Sequence, residues 1–279
     1  MASVKSPIRT IVKPILFKLL GKRGYKWAQF YAKKKDIENR LVEEIEMELL
    51  PKLVQKADEV LDIGANYAYY TERLARLAPD GHVYAFEPIP FTYDVAGMLV
   101  KKFRLKNVSL YKKGVGQQTE TMRFSVPKQG FGSISAGQAH MADRNNEVVK
   151  GSAYYVSEQN EQFDCEVVDI DSFLLPQLKN LTFVKIDIEG AEYFALKGME
   201  KTLERFHPVI LIEIVPLFLQ SFNIELSFFQ QYIEQTLGYS IFEYDQAAQK
   251  LHPAASVAKD RNYLLIHRSK ISGYAHLIA

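Results

Sequence analysis

Val60-Leu61-Asp62-Ile63-Gly64-Ala65-Asn66-Tyr67-Ala68-Tyr69-Tyr70-Thr71 decides the fold. A short apolar run ends in an acid, glycine opens a tight turn, and a helical pattern follows over residues 70–77. Strand, turn and helix in that order predict one unit of an α/β sheet. The units on either side repeat it. A turn at Pro79-Asp80-Gly81 leads to a strand over 82–86, closed by Glu87-Pro88, a helix over 91–103 and a strand over 108–112. Later come a strand over 183–188, a helix over 192–206, a strand over 209–215, a helix over 226–237, and strands over 240–244 and 263–267. Such alternation predicts a seven-stranded, mostly parallel sheet covered by helices on both faces. The last two strands have no good helix between them and are expected as an antiparallel pair at one edge.

Two regions fall outside the alternation. An insert over about 117–170 carries strand-like runs at 121–126 and 163–170, an expected hairpin, around a polar stretch rich in Gly, Ser, Gln and Asn. A polar stretch of that length inside a compact domain reads as a lid or binding loop. Within it, Gly130-Phe131-Gly132-Ser133-Ile134-Ser135 is the expected lid, with Ser133, Ser135 and His140 as substrate-contacting candidates. Residues 1–57 form an expected N-terminal helical arm, with a break at Gly21 or Gly24 and a helix over 36–57 capped by Asp36; 58–279 are the expected main domain.

The net charge of +2 is unevenly distributed. Residues 1–35 hold ten Lys or Arg and no acid, leaving 25 basic and 33 acidic groups beyond them. A cationic arm with Tyr25, Trp27, Phe30 and Tyr31 fits a helical cap packed on the body, and it also fits peripheral contact with an anionic membrane. No apolar stretch approaches the roughly 20 residues of a membrane span, and no secretory signal is evident. One cysteine, Cys165, excludes an internal disulfide. A cytoplasmic protein, peripheral on the membrane at most, is expected.

Asp62 at a strand end suits an amino or hydroxyl group of a ligand over the sheet. Glu87, at the end of the next strand, suits the hydroxyls of a ribose. A dinucleotide site would show three glycines in G-x-G-x-x-G, whereas Asn66 and Tyr69 stand at two of those positions. A nucleoside with an amino acid part and no phosphate fits better, which describes S-adenosylmethionine. Asp62-Ile63-Gly64-Ala65-Asn66, Phe86-Glu87-Pro88, Lys185-Ile186-Asp187-Ile188-Glu189-Gly190-Ala191-Glu192 and Pro208 to Glu213 together resemble the FkbM-type S-adenosylmethionine-dependent methyltransferases, over residues 58–245. The resemblance implies a Rossmann-like class I methyltransferase fold and methylation of hydroxyls on sugars, polyketides or related products. It implies that Asp62, Gly64 and Asn66 line the methionine part, with Tyr70 and Thr71 beside it. Glu87 and Pro88 would meet the ribose, and Gly114 and Val115 the adenine. The family usually has glycine where this chain has Ala68, which suits the turn if that residue keeps negative φ.

A protonated hydroxyl is a weak nucleophile, so a base within hydrogen-bond reach is needed. Asp187, Glu189 and Glu213 end or follow neighbouring strands and are the candidate catalytic acids; Glu192 is expected only to cap the following helix. Alternatively, Glu213 pairs with Lys185. A divalent cation on these carboxylates is an option the residues leave open without favouring it, and six histidines show no ligand spacing. The expected activity is O-methylation of a small molecule, sugar or glycan. The alternatives are N-methylation of an amine or an RNA-binding methyltransferase. The acidic body argues against an extended phosphate track. Oligomeric state is not legible.

Overall fold

The computed structural model describes residues 7–128, 139–152, 154–155 and 159–279, with side chains from residue 21 onward, residue 22 excepted. In chain order the elements are α1 (Pro7–Glu38), α2 (Leu50–Leu53), β1 (Glu59–Ile63), α3 (Tyr69–Leu77), β2 (His82–Phe86), α4 (Pro90–Lys102), β3 (Val108–Tyr111), β4 (Gly114–Val115) and β5 (Glu120–Pro127). Then follow β6 (His140–Met141), α5 (Asn146–Val149), β7 (Asn160–Val168), α6 (Ile170–Phe173), β8 (Leu181–Ile186), α7 (Glu192–Lys197), α8 (Glu200–Phe206) and β9 (Val209–Ile214). The chain ends with α9 (Pro216–Ser221), α10 (Leu226–Gln231), β10 (Tyr239–Asp245), β11 (Lys250–Pro253) and β12 (Arg261–His267).

The main sheet runs β3-β2-β1-β8-β9-β12-β10-β11. Strands β1, β2, β3, β8 and β9 are parallel. β12 wedges between β9 and β10, antiparallel to both. The expected pair therefore exists, but β12 lies inside the sheet and the short β11 forms the edge, making eight strands where seven were expected. Both faces are buried, and the strands show it residue by residue. Leu61, Ile63, Val184, Ile186, Ile210 and Ile212 point into one core. Val60, Val83, Phe183, Val209 and Leu211 point into the other. With a period of two, Asp62, Lys185 and Glu213 project on the same face as Val60, Phe183 and Leu211. They are the first polar positions after an apolar run, and all stand at the carboxyl ends of the strands. The order reverses between β1 and β8, so these ends flank the switch point at which α/β sheets bind ligands.

The insert is more than a hairpin. β5 pairs with β7 over eight residues, and β6 and β4 extend them to a four-stranded sheet, β4-β7-β5-β6. The Gly130–Ser135 lid expectation, with Ser133 and Ser135, falls outside the described residues. The single helix expected over 192–206 is two, because the chain is pressed against a neighbour at the break: a Cβ on Gly198 would lie 1.9 Å from the Gly116 carbonyl oxygen.

The arm also differs from expectation. α1 is interrupted at Gly21 (φ 60) and runs on to Glu38, so Asp36 lies inside a helix rather than capping one. Arg40, at φ 51, turns the chain after α1. The following segment folds as a short 3-10 helix and α2, burying Met47, Leu49, Leu50, Leu53 and Val54 in the domain core. The second half of α1 packs on α4: Tyr25 stacks on Phe91 at 6.0 Å, Phe30 joins Val95 and Leu99, and Lys26 pairs with Asp94. No helix among the described residues is long and apolar enough to cross a membrane.

Candidate active site

The β1–α3 turn is built by three left-handed residues, Gly64 (φ 87), Asn66 (φ 47) and Ala68 (φ 61). Glycine is required at the first for two reasons. A Cβ there would lie 1.9 Å from the Asp187 carbonyl oxygen, and its φ disfavours any side chain. The turn after β1 thus lies against the turn after β8. Alanine at 68 does not meet the condition of negative φ, and the turn forms all the same. The left-handed conformation costs an L-residue roughly 1–2 kcal/mol. Burial of its methyl returns roughly 0.8 kcal/mol, and alanine's smaller unfolded-state entropy returns more. These terms nearly cancel, which explains how alanine survives here. Ala68→Gly is expected to change stability by less than about 1 kcal/mol, measured by urea unfolding.

Asp62 is fully buried. Its Oδ2 accepts from Thr71 Oγ1 at 2.5 Å, while Oδ1 is buried with no partner. Burial raises its proton affinity, against the pull of Lys185. Asn66 also keeps a buried Oδ1 with no partner. Glu87 ties the two strand ends together: Oε2 accepts from the Asn66 N–H and Oε1 from the Ile89 N–H, each at 2.9 Å. Burial pushes its carboxyl up to about 7 despite those bonds. Beside it a narrow cleft is lined by Gly64, Phe86, Pro88, Gly114, Val115 and Ile188. The structure therefore brings Asp62, Asn66 and Thr71 to one turn, and Gly64, Pro88, Gly114 and Val115 to one cleft beside Glu87. It does not bring Tyr70 there. That ring lies in the core with Leu50 and Leu74, and its hydroxyl donates to Glu44 Oε2 at 2.7 Å. Cys165 closes the far side, its buried thiol donating to the Pro88 carbonyl at 3.2 Å and pushed up to about 11 by burial.

The acids after β8 form the second part. Lys185 Nζ donates to Asp187 Oδ2 at 2.6 Å and sits 4.8 Å from the Tyr70 ring centre. Although burial pushes Asp187 up, Lys185 holds it below its ordinary value. Asp187 in turn accepts a hydrogen bond from Glu213, whose carboxyl is pushed up to about 10 by the Asp187 charge and by burial. The two share one proton, as close carboxylates do. Lys185 thus pairs with Asp187, and Glu213 has the shared proton rather than the lysine. Glu192 accepts from the N–H groups of Ile188 (3.1 Å) and Gly190 (3.2 Å), shaping the turn. Glu189 sits on that turn with φ 59 and has no hydrogen-bond partner among the described residues. Burial first, then Asp187 and Glu192, raise it well above its ordinary value.

The wall facing these acids comes from residues that motif reading missed. Arg144, Tyr154 and Phe218 stand together: the guanidinium carbon lies 5.2 Å from the Phe218 ring centre, and the Tyr154 ring meets Phe218 edge-on at 4.7 Å. Tyr154 donates to Asp260 Oδ2 at 2.7 Å. The segment before β1 contributes as well, through Glu44, which accepts from Tyr70 and from Asn262 Nδ2 at 3.0 Å. His140, expected on a polar loop, is buried in β6 opposite Ser125. Among the described residues no group of three His, Cys, Asp or Glu side chains is arranged to hold a metal ion.

An open α/β sheet whose order reverses beside these acids is a domain of the doubly wound class. The Methyltransferase FkbM domain family matches residues 62–263, and the chain belongs to that family. It is similar to Methyltransferase 1 of Beauveria bassiana (strain ARSEF 2860), 24% identical over 149 residues, covering 50% of this chain and 58% of that protein. Methyltransferase sdnD of Sordaria araneosa is 24% identical over 160 residues, covering 51% of this chain and 60% of that protein. The chain thus spans less than two thirds of the length of these curated relatives. Methyltransferase FkbM from Methylobacillus flagellatus KT has a solved structure that aligns at a TM-score of 0.49 with 16% identity, over 92% of this chain and 59% of that one.

Proposed function

We propose that the protein is an S-adenosylmethionine-dependent O-methyltransferase acting on a hydroxyl of a small molecule, sugar or glycan. The observation that carries this is the set of unmatched buried acceptors at the β1 turn. Asp62 Oδ1 and Asn66 Oδ1 are buried without partners, and a buried acceptor left unpaired is unfavourable by roughly 1–3 kcal/mol. An ammonium group supplies donors to these two acceptors, and Glu87, whose two oxygens each accept one backbone N–H, keeps lone pairs for ribose hydroxyls. The residues therefore fit the cofactor: Asp62 and Asn66 for its amino acid part, Glu87 for its ribose, and the cleft at Pro88, Gly114 and Val115 for its base. When bound, S-adenosylmethionine supplies a methyl group on an electron-poor sulfur. The chain's own groups hold the acceptor hydroxyl and take its proton. Asp187 is occupied by Lys185 and by the proton it shares with Glu213. Glu189 has no hydrogen-bond partner among the described residues and its proton affinity is raised by burial, so it suits the general base of the three. Glu213 keeps its proton at neutral pH and suits a donor to an acceptor oxygen.

Calorimetry with S-adenosylhomocysteine tests the reading. Binding is expected, with marked weakening in Asp62→Asn; a heat-silent titration of the folded wild type would sink it.

We also propose that α1 contacts an anionic membrane. Trp27 (54% exposed) and Tyr31 (61%) lie one turn apart, their rings packed on each other and on the buried Phe30, with exposed Arg23 and Lys35 nearby on the helix. Exposed rings on a cationic helix suit the headgroup layer. The full chain is expected to float with vesicles containing phosphatidylserine and the Trp27→Ser/Tyr31→Ser variant to float less; equal flotation of both rejects the contact.

A further inference from the structure

Among the described residues Arg144 is the one cation on the wall facing the acids, and its side chain is incompletely matched. The residue is only 7% exposed, yet its one side-chain hydrogen bond among the described residues is a long one, Nε to Asn146 Oδ1 at 3.3 Å. Its guanidinium lies over Phe218, and no carboxylate among the described residues comes within ion-pair distance. A buried cation is costly unless matched by an anion or several acceptors. The position is set firmly. The Arg144 N–H bonds the Met141 carbonyl at 3.2 Å, and the next N–H, of Asn145, bonds the Ser221 carbonyl at 2.9 Å. Val149 packs with Val215 and Phe218 beneath. The side chain is therefore held by the insert against α9, with four N–H groups left to offer. Glu189, the nearby acid, lowers the need for a counter-charge only when ionised, and its proton affinity is raised by burial.

We infer that Arg144 is the anion-binding residue of the acceptor site, and that the acceptor is a hydroxylated molecule bearing a carboxylate. This rests on the methyltransferase reading of the same crevice. A planar carboxylate matches the planar guanidinium with two parallel hydrogen bonds, which a neutral sugar cannot do. The Phe218 and Tyr154 rings give the acceptor an apolar wall between that anchor and the acids. The ionised Asp187 repels a carboxylate from the other end, so the acid group is directed to Arg144 and the hydroxyl toward Glu189. The class includes uronic acid units and aliphatic or aromatic hydroxy acids.

The test uses the full chain saturated with S-adenosylhomocysteine and two matched probe pairs, glucuronate against glucose and benzoate against benzamide. Saturation-transfer NMR titrations read the binding of each. The acid of at least one pair is expected to bind about tenfold tighter than its neutral partner, the worth of a charge-assisted bidentate contact. Arg144→Gln should erase that preference, and Arg144→Lys should restore part of it. Both variants should bind S-adenosylhomocysteine as the wild type does. Equal or absent binding of acid and neutral probes in the wild type overturns the inference. So does a preference that persists in Arg144→Gln, or a variant that shifts only the pH profile of methyl transfer, since Arg144 would then act solely on Glu189. Failure of the wild type to bind S-adenosylhomocysteine counts instead against the methyltransferase reading.

Discussion

Glu189→Gln is expected to lower kcat by roughly 10²–10⁴-fold, the usual contribution of a positioned general base, with S-adenosylhomocysteine affinity unchanged. The argument rests on how the three acids divide their protons. Asp187 is ionised and bound to Lys185, so its lone pairs are engaged. Glu213 carries a proton to about pH 10 and cannot accept another at neutral pH. Glu189 alone of the three has both a carboxylate free of hydrogen bonds among the described residues and a proton affinity raised by burial. The wild-type pH profile should accordingly be a bell. Activity rises as Glu189 loses its proton, above the ordinary carboxylate range. It falls near pH 10, where the Asp187–Glu213 pair gives up its shared proton and gains a second negative charge. Glutamine at 189 should remove the acid limb. An undiminished kcat would reject the base assignment and favour an amine acceptor, which needs less help with its proton.

Gly64→Ala is the second large effect, and it should appear in folding as well as in catalysis. The methyl group would be placed 1.9 Å from the Asp187 carbonyl oxygen, a backbone atom anchored because the Asp187 N–H bonds Ile63 O at 3.0 Å. Relief requires the β1 and β8 ends to part. With the left-handed φ added, the expected loss is about 3–5 kcal/mol, a large part of the roughly 5–15 kcal/mol that holds a typical domain together. Urea unfolding should show a much lower midpoint, and what remains folded should bind S-adenosylhomocysteine poorly. A midpoint close to the wild type's would show that the two turns are not locked together.

The sheet was legible because its strands are apolar on both faces and end abruptly in polar residues. Asp62, Glu87 and Asp187 stood out for that reason, and the structure sets all three at strand ends. The position of β12 inside the sheet was not legible, since strand order depends on contacts that no local pattern records. β11 is too short to show alternation. The Lys185–Asp187 bond could have been foreseen from the i, i+2 spacing that puts both on one face. Arg144, Tyr154 and Glu44 could not, because they come from polar or irregular segments and reach the crevice only through tertiary packing. Asp36 misled because a capping residue and a mid-helix acid look alike in sequence. It pairs with Lys33 one turn earlier and accepts from the distant Tyr69 hydroxyl at 3.0 Å.

The thiol of Cys165, tucked under the Pro88 carbonyl between the small sheet and the cleft at Pro88, gives the molecule a clock of its own. Being the sole cysteine, it can be alkylated at one place, and only while that seam stands open. The rate at which an alkylating reagent marks the protein therefore counts those openings. The slowing of that rate when a nucleoside ligand is added reports how firmly occupancy of the cleft holds the seam shut.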